Sequence, residues 1–327
     1  MKLNQQTAAL ALCTLLGVSV LAGCGRSGDF SEPQPAVNKI EYTNLNDSGS
    51  RELLKELLSD TGVSDGRIQS FFRRVDRFND SVKQEWLTDG FEEAEPKYDP
   101  YTMQDEWTAK NGTFPGYNCR ITAMSLFGDF LSVRADAPIN AGEDVLFVDE
   151  ETLKTDPDAL GGSSLADFRA LYSSRKAEDT TEIPRHVQTV QEEWASRGVA
   201  FQENEKIRLI TVFFHDKPTE EESLLFVGHV GVLLTAEDGT LYFVEKVAFQ
   251  EPYRMMRFAD RTALSDYLMG KYDTSWGQDT ASPFIMENDK LMDGWRPNTD
   301  GGAYADLVPS GGVEEYCKSF RKHQPED

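Results

Sequence analysis

Cys119 lies where the sequence could make a thiol reactive. Asn118 is a good helix N-cap residue, and apolar residues recur at helical spacing from Ile121 through Met124 to Phe127. Cys119 is therefore predicted at the first position of a helix, where free backbone N–H groups and the helix dipole favour a thiolate. Because the thiolate is the nucleophilic form, the segment predicts a reactive cysteine. A small cysteine buried under a helix is the structural alternative.

A base for this thiol is predicted in the apolar segment 224–234, which contains His229. An Asp-Gly turn follows, and the returning strand over 241–247 carries Glu245 within an apolar run. A buried imidazole and a buried carboxylate each need a partner, so their pairing would satisfy both. A two-residue turn would put Gln250 on the face of His229, whereas a loop one residue longer or shorter would put Glu245 diagonal to it. The sequence does not decide between Gln250 and Glu245 as the partner of His229. His215, at the end of the strand predicted over 207–214, is the alternative base.

The order cysteine, histidine, polar residue supplies the three roles of nucleophilic catalysis: a thiolate, a base that also protonates the leaving group, and a residue that orients the base. The backbone N–H of Cys119 could form half of an oxyanion hole, with the side chain of Asn118 or Gln104 as second donor.

Composition excludes several other classes of function. The 327 residues have a formal charge of −23, which leaves no basic surface for nucleic-acid phosphates. The four cysteines lack C-x-x-C spacing, and the four histidines lack H-E-x-x-H spacing. We therefore expect no metal site and no cofactor.

The first 23 residues predict an export signal, with Lys2 ahead of a short apolar region. Leu-Ala-Gly-Cys at 21–24 resembles a bacterial lipobox, which implies that Cys24 is lipidated and anchors the protein to the outer face of a bacterial membrane. Residues 24–40 are rich in Gly, Ser and Pro and predict a flexible tether.

Residues 41–327 predict a single α+β domain. Helical patterns over 51–58, 65–82 and 101–110 precede the cysteine helix, which is expected to end before Pro138. The apolar run within 144–149 predicts a short strand, and residues from about 150 to 200 predict a helical insertion. A last helix around 314–321 carries Cys317.

The strings GYNC at 116–119 and GHVGV at 228–232 resemble the papain-like cysteine hydrolases of the NlpC type. The resemblance implies an antiparallel sheet packed on a cysteine-bearing helix, here with a helical N-terminal extension, and cleavage of amide bonds in cell-wall peptides. Nearly all of the mature chain also resembles an uncharacterised family of bacterial surface lipoproteins, which implies no activity. The alternative to an enzyme is a ligand- or partner-binding lipoprotein in which a Cys119–Cys317 disulfide removes the nucleophile.

Overall fold

The structure is a computed structural model that describes residues 40–93, 98–134, 145–274 and 279–298. Cys24, the signal segment, the tether and the predicted helix that carries Cys317 lie outside these residues. Among the described residues, no helix has both the length and the apolar character that a bilayer-spanning segment needs.

Eight α-helices form in the described part of the chain. They are α1 (Ser48–Thr61), α2 (Asp65–Asn79), α3 (Pro100–Asn111), α4 (Cys119–Phe127), α5 (Phe147–Thr155), α6 (Leu165–Tyr172), α7 (Ile183–Ser196) and α8 (Arg261–Tyr272). Side-chain caps define several starts, because Asp47, Asp99, Asn118 and Asp260 each accept a bond from a first-turn N–H.

The strands of the described residues are β1 (Glu41–Thr43), β2 (Glu92–Glu93), β3 (Leu131–Val133), β4 (Arg175–Lys176), β5 (Val199–Phe201), β6 (Ile207–Thr219), β7 (Glu222–Thr235), β8 (Leu241–Lys246), β9 (Tyr253–Phe258), β10 (Phe284–Glu287) and β11 (Lys290–Leu291). A nine-stranded sheet has the order β11-β10-β6-β7-β8-β9-β1-β2, and β4 pairs with β7 outside this path. The described pairings are antiparallel, including that of β3 with β5 in a small second sheet. The predicted α+β class is confirmed.

Apolar side chains cover both faces of the sheet. One face packs on α2 and α4 through residues such as Phe71, Ile121 and Val232. The other packs on α8 through residues such as Phe243 and Leu268. Because β6, β7 and β8 are covered on both sides, their sequences read as near-continuous apolar runs.

One local prediction was wrong. The segment predicted as a strand over 144–149 contains the start of α5, and Phe147 is 45% exposed there. A four-residue apolar run fits a helix as well as a strand. Here the end of the run belongs to the longer segment that forms α5. The cysteine helix ends at Phe127, before Pro138 as predicted, and a 3-10 turn and β3 follow it.

Candidate active site

Cys119 is the first residue of α4, and the side chain of Asn118 fixes that start. The Asn118 Oδ1 atom accepts a hydrogen bond from the Ile121 backbone N–H at 3.1 Å. The Nδ2 atom donates to Asp149 Oδ1 at 2.8 Å. Asn118 is therefore the helix cap and is also tied to α5, which orients the first turn that carries the thiol.

The start of α4 lies against an interrupted edge of β7. This edge pairs with β8 only through residues 232–235 and with β4 only at Leu224 and Leu225. Between these two ladders, Arg120 donates to the Val227 carbonyl at 3.2 Å. Arg120 also forms a 2.7 Å ion pair with Asp149, which is fully buried. The first turn of the cysteine helix therefore lies against β7 in the gap between β4 and β8.

The β7–β8 hairpin places Glu245 diagonal to His229. Ala236 and Thr240 close a three-residue loop, in which Gly239 has a φ of +86°. Val232 pairs with Val244, so Glu245 faces position 231 on the same side of the hairpin as His229. The Nε2 atom of His229 is 2.6 Å from Glu245 Oε2. The loop is one residue longer than the two-residue turn, and it selects Glu245 over Gln250 as the partner.

The imidazole links this carboxylate to the thiol. Burial raises the pKa of Cys119, but a hydrogen bond with His229 and the positive charges of His229 and Arg120 outweigh burial and lower it. Since Glu245 engages Nε2, the ring nitrogen left for the thiol is Nδ1, which makes no hydrogen bond of ordinary geometry. The arrangement favours a thiolate beside an imidazolium.

Opposite charges stabilise the histidine in its protonated form. Burial alone would lower the pKa of His229, but the Glu245 charge and the bonds to Cys119 and Glu245 raise it to about 9. Burial would likewise raise the pKa of Glu245, but the His229 charge lowers it to about 2. The second carboxylate oxygen, Oε1, accepts the Tyr267 hydroxyl at 2.7 Å and lies 4.0 Å from Arg254 Nε. The Tyr272 ring stacks on the imidazole at 5.0 Å.

The family described as domain of unknown function (DUF4300) matches residues 41–292. The chain belongs to this family. No curated protein and no solved structure matches the chain. The DUF4300 match spans the helix start, the hairpin and α8, and it brings no activity with it.

Three other residues were predicted for the site as an oxyanion donor, an orienting residue or a base, and their surroundings in the structure do not match those roles. Gln104 on α3 donates to Thr108 at 3.2 Å, and its carbonyl oxygen is buried without a partner. Gln250 lies in the loop between β8 and β9, and its Oε1 atom also lacks a partner. The His215 ring is bound by Ser223 and by the Ala281 N–H, and burial lowers its pKa to about 4. A base with so low a pKa is weak near neutral pH, so His229 is the better candidate.

Sequence reasoning missed Asp149, Tyr267 and Tyr272. Asp149 lies in the segment that was predicted as a strand. An acidic residue beside a predicted buried segment needs a partner, and this could have indicated an ion pair. The two tyrosines recur five residues apart on α8 and carry no local pattern that points to a histidine on another element.

The three central side chains are closed off from solvent. Cys119 is 5% exposed, and His229 and Glu245 are each 0% exposed. A surface cavity of about 450 Å³ is lined by residues between 235 and 294, including Asp260 and Thr262, and a second of about 370 Å³ is lined by residues between 55 and 76. Neither of these two cavities includes Cys119 or His229.

Proposed function

We propose that this chain is a papain-like cysteine hydrolase or amidase of the NlpC type that acts on peptide or amide bonds, with cell-wall peptides as the expected substrate class. The observation that carries the proposal is the buried His229–Glu245 pair, whose imidazole lies close enough to Cys119 to lower the pKa of the thiol despite its burial. A structural cysteine needs neither a cationic imidazole beside it nor a carboxylate behind that imidazole.

Cys119, His229 and Glu245 have distinct roles in the proposed reaction. The Cys119 thiolate attacks the amide carbonyl carbon, and the first backbone N–H groups of α4 stabilise the oxyanion. The His229 imidazolium gives its proton to the leaving nitrogen as the C–N bond breaks, which leaves a thioester and a free amine. Neutral His229 then removes a proton from water, and the hydroxide cleaves the thioester to an acid and the thiol. Glu245 orients the ring and stabilises its positive charge.

The arrangement of elements supports the papain-like assignment. A cysteine begins α4, α4 packs on the antiparallel sheet, and the histidine and carboxylate come from the successive strands β7 and β8. The proposed oxyanion hole relies on backbone N–H groups, because the two side-chain donors predicted from the sequence bind other residues. One N–H of the Asn118 amide is committed to Asp149, and the Gln104 amide donates to Thr108.

The proposed place of action is the bacterial cell envelope. The lipobox-like segment supports lipidation at Cys24, after removal of residues 1–23, and anchorage to the outer face of a membrane. Residues 24–40 would then act as a tether that lets the domain reach cell-wall peptides.

Selective alkylation of the thiol tests the proposal. Native protein is treated with iodoacetamide at pH 7, and the peptide that contains Cys119 is quantified by mass spectrometry, separately from Cys317. We expect fast modification of Cys119 and a fall of about ten- to thirty-fold in His229→Ala, because a thiol of ordinary pKa is only about 3% ionised at pH 7. His215→Ala is the matched control, since it also removes a buried imidazole. Equal rates in the wild type and His229→Ala would refute the proposal.

The burial of the triad favours one competing function, a non-enzymatic lipoprotein that binds a ligand or partner. Cys119 makes no disulfide with any residue that the structure describes, and Cys317 lies outside that part of the chain. Titration of the exported protein without reductant separates the two functions. Two free thiols fit the hydrolase, whereas no free thiol fits a Cys119–Cys317 disulfide and a binding role.

A further inference from the structure

Arg74 is a buried cation with no carboxylate partner in the described part of the chain. It lies on α2, is 5% exposed, and donates only from Nη1, to Ser70 Oγ at 2.8 Å. Its Nε and Nη2 atoms have no hydrogen-bond partner. The guanidinium lies 5.7 Å from the ring centre of Tyr117, and the hydroxyl of that tyrosine donates to Asp156. The Asp156 charge acts on Arg74 only from behind Tyr117, so the buried guanidinium lacks a directly bonded carboxylate and two acceptors.

Two buried hydroxyls lie near this cation, because Tyr253 is a neighbour of Arg74 and Thr122 is a neighbour of Tyr253. The Tyr253 ring packs edge-on against Phe71 and Phe78, which flank Arg74 on the buried face of α2. Burial raises the pKa of Tyr253, while the Arg74 charge and the Thr122 hydroxyl act in the opposite sense, as expected for neighbouring groups. Neither the Tyr253 hydroxyl nor the Thr122 hydroxyl makes a hydrogen bond of ordinary geometry, although both are fully buried.

We propose that Arg74, Thr122 and Tyr253 form a binding site for a small oxyanion, such as a carboxylate group. An oxyanion would supply the missing negative charge and would accept the free N–H groups of Arg74 together with the two hydroxyl protons. A free anion and a carboxylate group of the substrate would both supply this negative charge and these acceptor oxygens.

The position of the site connects it to the candidate nucleophile. Thr122 follows Cys119 by three residues on α4, and residues three apart lie on the same face of a helix. An anion held by Thr122 would therefore lie within about one helical turn of the thiol. Binding of a free oxyanion is independent of the proposed hydrolase, whereas recognition of a substrate carboxylate rests on it.

Thermal unfolding tests the site. The wild-type protein is melted in increasing sodium acetate, and in a parallel series with sodium phosphate, at constant ionic strength made up with sodium chloride, which is not an oxyanion. At ten times the dissociation constant we expect the Tm to rise by about 3 to 6 °C. The rise should disappear in Arg74→Gln and persist in Arg73→Gln, which removes an exposed arginine at the next position. Should Arg74→Gln fail to fold, Thr122→Val and Tyr253→Phe should each weaken acetate binding several-fold.

A second arm identifies the source of the oxyanion. Slower alkylation of Cys119 in the presence of a peptide with a free C-terminal carboxylate, but not with its C-terminal amide, assigns the site to the substrate. Stabilisation by acetate or phosphate without such protection assigns it to a free anion. The absence of any anion-dependent rise in Tm together with equal behaviour of both peptides would overturn the proposal, and it would leave the alkylation test of His229 unaffected.

Discussion

Replacing Glu245 with Gln should move the proton away from His229. The carboxylate is the main favourable charge beside the imidazole, and together with the Cys119 thiol it raises the pKa of His229 from its usual value of 6.5 to about 9. That rise corresponds to about 3 kcal/mol in favour of the imidazolium. Glutamine keeps the volume and an acceptor oxygen but removes the charge. Because burial still acts on the ring, we expect the pKa of His229 in Glu245→Gln to fall to 6.5 or below.

The consequence is measurable as the pH dependence of Cys119 alkylation. Near pH 7 the wild-type imidazole is protonated and the thiolate is stabilised, whereas in Glu245→Gln the imidazole is neutral. The wild-type rate should therefore reach its plateau well below the usual thiol pKa of about 8.5, and the rate of the variant only above it. At pH 7 the difference should be about thirty-fold.

Glu251→Gln provides the matched control, because Glu251 is also a buried carboxylate but binds Tyr98 at 2.7 Å and Arg254 at 2.8 Å instead of His229. Its variant should lose stability and keep the wild-type pH profile. An unchanged profile in Glu245→Gln, or the same shift in both variants, would refute the electrostatic reasoning.

Three further predictions concern stability and are checked by urea unfolding. The pKa of His215 is about 4 in the folded protein and 6.5 in the unfolded chain, so the unfolded chain binds more protons as the pH falls. The free energy of unfolding should therefore fall by about 1 to 2 kcal/mol between pH 7 and pH 5. His215→Phe should flatten this pH dependence. Gly231→Ala should cost about 1 to 3 kcal/mol, because a Cβ there would meet the Phe243 ring and lie 2.8 Å from a backbone oxygen of β8; a neutral substitution would contradict the packing. Asp149→Asn should cost about 3 to 5 kcal/mol, since it leaves the buried Arg120 charge unpaired; a loss under 1 kcal/mol would show that this ion pair is not essential.

Local signals predicted the helix start and the central hairpin. The cap residue Asn118 and the helical spacing after it define where α4 begins, because capping depends on neighbouring residues alone. The apolar runs of β7 and β8 and the Asp-Gly sequence between them define the hairpin. The loop length, which decides the partner of His229, was left open because one residue reverses every side chain of the returning strand.

Contacts between distant segments could not be predicted. Strand β1 is only three residues long and has too little sequence for a period. The interrupted edge of β7 is set by β4 and β8, and the residue that bridges the gap, Arg120, comes from a helix more than 50 residues earlier. Such placements depend on the whole sheet, which is why Asp149 and Tyr267 were missed.

The central claim is that Cys119 forms a covalent acyl intermediate with the help of His229. The most direct measurement is mass spectrometry of the intact domain and of its Cys119 peptide after mixing with an activated acyl ester and with cell-wall peptides. The account predicts an acyl adduct on Cys119 that forms and then decays in the wild type, is absent in Cys119→Ala, and forms far more slowly in His229→Ala. A readily alkylated Cys119 that never carries an acyl group, or an adduct that forms equally fast without His229, would contradict it.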